Sequence, residues 1–229
     1  MPVSKETLAI FRKVRAADIT DALDSMGLQA RYEMDPAMRP LFFGIRFAGI
    51  AHTKEYDLID KPLEPMTYEE FDERQYSKEA NSLWNDPSTD GAEDEVIVID
   101  AKRTRAGIIG SNNTLHERAR GVVGFVIDGT FRDSYESIMQ KTPAFCTVRS
   151  PAHPMGRIRN VSDNKPIVCA GVVVNPGDVV FADDDGVVVV PQDIADEVAR
   201  RANLIQEKDK PGRRRGYEAL GMPLDDTVK

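Results

Sequence analysis

The sequence predicts an α/β domain built around a mixed β-sheet. Two helical apolar patterns fill residues 1–27, and a further helical pattern follows Pro191. Between them lie short apolar runs bounded by Gly, Asn, Asp and Pro, which read as strands separated by turns. At 229 residues, with 41% hydrophobic and 30% charged side chains, the chain has enough material for a real core and does not resemble a disordered segment.

The elements follow in order. Residues 7–16 and 19–26 carry apolar positions at helical spacing, with Asp18 placed to cap the second helix and Gly27 to stop it. Residues 42–52 read as a strand in which Gly44 and Gly49 mark bulges. Residues 54–93 change character. They carry Pro62, Pro65, Pro87 and many acids, with a helical pattern only over 68–83, so about 54–94 is expected to be an insertion on a single domain spanning 1–229. Residues 95–100 and 106–109 are compact apolar strands, and 112–120 is a helix ended by Gly121. Strands are expected at 122–127, 144–148, 167–174, 178–181 and 187–190, with turns at 175–178 and 183–186. The last helix is read over 192–206. Arg213, Arg214 and Arg215 then read as a solvated tail, turning acidic at Asp225 and Asp226.

Bulk properties exclude several roles. A formal net charge of −8 argues against a nucleic-acid binder held by phosphate contacts. It leaves room for a small anion in a locally basic pocket. No apolar run approaches the length of a membrane span and the charged start does not read as a signal peptide, so no membrane partner and a cytoplasmic location are expected. Cys146 and Cys169 fall in or beside apolar strands and read as reduced core thiols. His52, His116 and His153 share no metal-type spacing, which argues against zinc.

The chemistry concentrates after the strand at 122–127. It ends at Asp128-Gly129, and Arg132-Asp133 follows. Groups beyond the carboxyl end of such a strand lie where ligands commonly bind. Arg132 offers a planar fork for a carboxylate, and Asp133 a hard oxygen suited to Mg²⁺ or Mn²⁺. The plain alternative is a surface ion pair or a cap. Gly110-Ser111-Asn112-Asn113 sits between a strand and a helix, where main-chain N–H groups attract anions. It reads either as a substrate cradle facing Arg132 or as a simple cap with Ser111 or Asn112 at the N-cap. The Asp183-Asp184-Asp185-Gly186 run lacks the other ligands of a calcium loop and reads as a β-turn. His153, Arg157 and Arg159 form a basic group that reads as a solvated loop, or as a contact for a second substrate carboxylate.

Asp128-Gly129-Thr130-Phe131-Arg132-Asp133 resembles the DG-x-x-RD turn of RraA-like proteins, a family that includes class II pyruvate aldolases acting on 4-hydroxy-4-methyl-2-oxoglutarate. Residues 18–24 with Gly27, 47–51, 175–178 and 183–191 resemble further family segments in the same order. The resemblance implies a compact mixed-sheet α/β fold related to the swivelling phosphohistidine-type domain, assembled as a homotrimer or homohexamer with its site at a subunit interface. It implies that Arg132 binds the carboxylate of pyruvate or oxaloacetate and that Asp133 anchors Mg²⁺ or Mn²⁺. Gly110, Ser111, Asn112 and Asn113 would support the substrate, and Glu207 would hold metal-bound water from a neighbouring chain. One departure stands out. The aldolases carry an acid where this chain has Ser111, and serine cannot serve as a charged base. The function expected is therefore a metal-dependent lyase on a small 2-oxo or hydroxy acid. The rival readings are a metal-dependent dehydratase or hydrolase on a sugar acid or amide, and a non-catalytic regulator of a ribonuclease.

Overall fold

The computed structural model describes residues 2–75, 77, 93–225 and 227–229. Eleven strands and six helices are assigned among these residues. The first two helices are α1 (Lys5–Phe11) and α2 (Ala16–Asp24). Ser4 caps α1 by accepting the Thr7 N–H. Asp18 lies at the third position of α2 and accepts the Arg15 N–H at 2.9 Å, so it closes that helix as the acidic half of a capping box.

The main sheet runs β1 (Arg39–Pro40), β6 (Ala144–Arg149), β5 (Gly124–Phe131), β3 (Glu95–Asp100), β2 (Phe47–Leu58), β10 (Val179–Asp183) and β11 (Gly186–Val190). β4 (Gly107–Ile109) adds to β5, and β7 (Ile158–Asp163) to β2. The centre is parallel: β2 with β3, β3 with β5, and β5 with β6. Both flanks are antiparallel. This is the mixed α/β architecture the sequence predicted. Buried on both faces, β3 and β5 read as near-continuous apolar runs, as central parallel strands do. Phe125, Ile97, Ile127 and Phe145 fill one core; Phe11, Ile19, Phe181 and Val198 join α1, α2 and the last helix in a second.

The structure corrects several expectations. The strand expected over 42–52 begins at Phe47 and runs to Leu58, so residues 54–58 belong to β2 rather than to an insertion. Gly44 is not in it and takes a left-handed turn with φ +86°. Gly49 makes no bulge: a Cβ there would lie 2.4 Å from the Asp94 carbonyl, so glycine permits a close approach, and the register shift falls at Glu55/Tyr56. The helix expected over 68–83 is α3 (Tyr68–Gln75) among the described residues; Pro87 and most of the rest of that segment lie outside them.

The single strand expected over 167–174 is a hairpin, β8 (Ile167–Cys169) and β9 (Val172–Val174), because Ala170 and Gly171 both adopt positive φ. The helix following Gly110 is α4 (Ser111–Ala119), and α5 (Ser134–Met139) was not anticipated. The last helix, α6 (Ala195–Ala219), continues through Pro211. Arg213, Arg214 and Arg215 are therefore helical rather than a loose tail, and Arg214 pairs with Glu218 at 3.0 Å. Asp226 lies outside the described residues. The turn expected at Asp183–Gly186 is the β10–β11 hairpin, and both cysteines are free and buried.

A buried polar cluster ties β2 to its neighbours. His52 Nε2 lies 2.8 Å from Asp163 Oδ1, and Nδ1 lies 3.5 Å from Glu95. Burial pushes the imidazole pKa down, but hydrogen bonds and charge attraction from Glu95 and Asp163 outweigh it, and the net shift is upward from 6.5. A pKa raised by folding adds stability that is fully present below the unfolded value of 6.5 and is lost as pH climbs past the folded value. The stability advantage of the wild type over His52→Gln should therefore shrink as pH rises from below 6.5 to above the raised folded value. Urea denaturation across that range measures it. A constant difference would show that the His52 charge adds nothing.

Candidate functional site

The site forms where β4 and β5 end side by side. Arg132 N donates to the Ile109 carbonyl at 3.0 Å, which carries the parallel pairing one residue beyond β5. Asp133 then takes a left-handed conformation (φ 56°, ψ 37°) as the N-cap residue of α5. This reversal turns its carboxylate back toward the start of α4. Asp133 Oδ2 accepts the Ser111 N–H at 3.3 Å, and Oδ1 accepts Arg132 Nε–H at 3.2 Å.

Gly110 fits tightly under this carboxylate. A Cβ at that position would lie 2.2 Å from Asp133 Oδ2, so any side chain would expel it. The Arg132 and Asp133 side chains are about one-third exposed, enough to be reached from solvent.

Arg132, Asp133, Gly110 and Ser111 are thus brought together as expected, but the details differ. The N-cap of α4 is Gly110, with no side-chain cap, so neither Ser111 nor Asn112 holds that place. Part of the anion-attracting helix start is engaged by the protein's own Asp133. Asn112 is exposed and Asn113 half-buried on the first turn of α4. Glu207 lies on α6 and pairs with Lys210 at 2.5 Å; no contact with Asp133 is recorded among the described residues. The basic group divides. Arg159 sits in β7 and pairs with Asp57 at 3.2 Å. His153 is half-buried rather than solvated. Its pKa is lowered from 6.5, first by burial and then by the charges of Arg132 and Arg157. Sequence reasoning missed Phe71 of α3, whose ring meets His153 edge-on at 5.4 Å.

Among the described residues no cluster of three or more His, Cys, Asp or Glu side chains could enclose a metal. Asp133 alone still suits Mg²⁺ or Mn²⁺, because such hard cations keep several waters and often take only one or two carboxylates.

A family model for RraA-like proteins, described as Aldolase/RraA, matches residues 16–189. The chain belongs to the RraA-like family. Its relatives include Protein DlpA of Legionella pneumophila, 28% identical over 192 residues that cover 83% of this chain and 28% of DlpA. A Halalkalibacterium halodurans protein named "Putative 4-hydroxy-4-methyl-2-oxoglutarate aldolase" is 39% identical over 124 residues, covering 51% of this chain and 55% of that protein. This RraA-like chain therefore spans about a quarter and about half of the lengths of these two relatives. Streptomyces coelicolor RraAS2, titled an unusual member of the RNase ES inhibitor RraA protein family, superposes with a TM-score of 0.76. That match covers 93% of this chain and 98% of RraAS2 at 23% identity, a likeness of fold. Among the described residues, no helix of this RraA-like chain is long and apolar enough to cross a membrane.

Proposed function

We propose that this protein is a divalent-metal-dependent lyase acting on a small 2-oxo or hydroxy acid, by retro-aldol cleavage or decarboxylation to a pyruvate enolate. One observation carries the reading: Arg132, Asp133 and the α4 start converge on one partly exposed spot, where Gly110 lets the Asp133 carboxylate approach the start of α4. The aldolase-type name of the Halalkalibacterium relative supports it.

The residues divide the work. Asp133 fixes Arg132 through Nε, and the Nη edge of the guanidinium then faces the substrate carboxylate as a fork. This aligns the acid and offsets its charge. The start of α4 adds positive potential beside the carbon chain, where negative charge builds as the bond breaks. Mg²⁺ or Mn²⁺ held by Asp133 and water would supply Lewis-acid stabilisation of that charge. Ser111 contributes its main-chain N–H and no charged base. The reading includes assembly as a homotrimer or homohexamer that brings Glu207 of a neighbouring copy to the site.

The test is turnover of oxaloacetate and of 4-hydroxy-4-methyl-2-oxoglutarate with and without EDTA. Pyruvate release should cease with chelator and return with added Mg²⁺ or Mn²⁺. Equal rates in both conditions, or no release from any 2-oxo acid, would overturn the reading.

A further inference from the structure

A cleft of about 350 Å³ opens at the other end of the sheet, lined by Arg12, Arg46, Phe47, Ala48 and Val123. Phe47 and Ala48 begin β2, and Val123 directly precedes β5. The cleft therefore lies at the amino ends of these strands, whereas Arg132 follows the carboxyl end of β5. At about 3.3 Å per residue, the length of β5 separates the two places by roughly 25 Å.

The two guanidinium groups come from separate segments, and both are reached by solvent. Arg12 is the C-cap residue of α1; its Nε–H donates to the Ala48 carbonyl at 3.3 Å, and Nη2 pairs with Asp94. Arg46 stands just before β2. It donates from Nη2 to the Val14 carbonyl, and its guanidinium carbon lies 5.8 Å from the centre of the Phe181 ring. Among the described residues no carboxylate lies within ion-pair distance of Arg46, and most of its N–H groups meet no acceptor. Burial pushes its pKa below the ordinary value, against the attraction of Asp183 and Asp18. Those two acids are engaged elsewhere: Asp18 accepts Arg15 Nε–H at 2.9 Å, and Asp183 accepts the Ala16 and Asp185 N–H groups. A guanidinium partly stripped of water and lacking a counter-ion favours an anion beside it.

We propose that this cleft is a second anion site, taking the phosphate group of a small phosphate monoester between Arg12 and Arg46. Phosphate fits the pair better than a carboxylate. Near neutral pH it carries close to two negative charges and three acceptor oxygens, so it engages both guanidinium groups together, while a carboxylate fills one fork. The cleft is larger than the anion, and Phe47, Ala48 and Val123 give the rest of its lining an apolar character suited to the organic part of the ester. An occupant ties the end of α1 to the start of β2. The site stands apart from the Arg132 clamp and does not depend on it.

Calorimetric titration of the full chain with phenyl phosphate tests this, with EDTA present so that no metal at Asp133 recruits the phosphate. Phenyl phosphate should bind about tenfold or more tightly than benzoate, the scale of one hydrogen bond to a charged group, and more tightly than inorganic phosphate. Arg46→Gln and Arg12→Gln should each weaken phenyl phosphate by about tenfold or more. Arg46→Lys keeps the charge and should retain part of the affinity. Arg132→Ala should stay within about twofold of the wild type. Melting of each variant without ligand shows whether it folds; Arg12 pairs at the surface, so Arg12→Gln carries the test if Arg46→Gln unfolds. No binding, or binding lost in Arg132→Ala and kept in Arg46→Gln and Arg12→Gln, overturns the site. Equal affinity for benzoate and phenyl phosphate overturns the choice of phosphate. Equal affinity for inorganic and phenyl phosphate overturns the monoester and makes free phosphate the occupant.

Discussion

Replacing Arg132 with alanine should lower kcat/KM on the 2-oxo acid by roughly two to four orders of magnitude. The estimate follows from losing a two-pronged charged interaction, about 1.5–3 kcal/mol for each hydrogen bond to a charged group. The change also removes the Nε–H that Asp133 Oδ1 accepts, leaving the carboxylate to the Ser111 N–H. Arg132→Lys keeps the charge and loses the planar fork, so it should recover only part of the activity. Stability should hardly move. The Arg132–Asp133 pair is about one-third exposed, and exposed pairs contribute about 0–1 kcal/mol. Steady-state kinetics alongside thermal melting separates the two effects. A loss below about tenfold with an unchanged melting temperature would show that the guanidinium does not hold the reacting acid.

Where burial is complete, local sequence was enough to find the elements. Residues 95–100 are apolar on both faces because β3 lies between β2 and β5, so a short unbroken run is its natural signature. Among the described residues β7 pairs only with β2, and its mixed sequence from Ile158 to Asp163 lacks that signature. Pro211 argues locally against helix, yet α6 continues past it, held over its first half by Val198, Ala199 and Ala202 against α1 and α2. The site divides in the same way. Arg132 and Asp133 were legible as a polar pair beyond the carboxyl end of an apolar strand, although Asp128-Gly129 is no turn: β5 runs through both residues to Phe131. The identity of the α4 cap was not, because it depends on a backbone turn that makes Gly110 rather than Ser111 the last extended residue. The meeting of Phe71 with His153 depends on the tertiary path of two distant segments, and the acidic sequence around Phe71 carries no sign of it.

The two aspartates of the Asp128–Asp133 segment should fail in opposite ways. Asp128 is buried within β5, where Oδ1 accepts Thr147 Oγ1–H at 3.0 Å and Arg103 Nε–H at 3.2 Å. Its Oδ2 accepts the buried Ala170 N–H at 3.0 Å and so fixes the left-handed turn of the β8–β9 hairpin. Asp128→Ala strands that N–H without a partner, whereas Arg103, half-exposed, keeps its pairing with Asp35 and is otherwise solvated. The loss should be about 2–4 kcal/mol, or on the order of 10 °C in melting temperature for a chain of this size. Asp133 makes its bonds at the open end of the strand, and asparagine tolerates its left-handed backbone and still accepts the Ser111 N–H. Asp133→Asn should therefore melt near the wild type while losing metal-dependent turnover to a degree comparable with Arg132→Ala, because a neutral amide is a poor anchor for a hard cation. Thermal denaturation and kinetics on the same preparations distinguish the pair. A stable Asp128→Ala would mean that the hairpin is held without this carboxylate, and a fully active Asp133→Asn would remove the metal from the proposed chemistry.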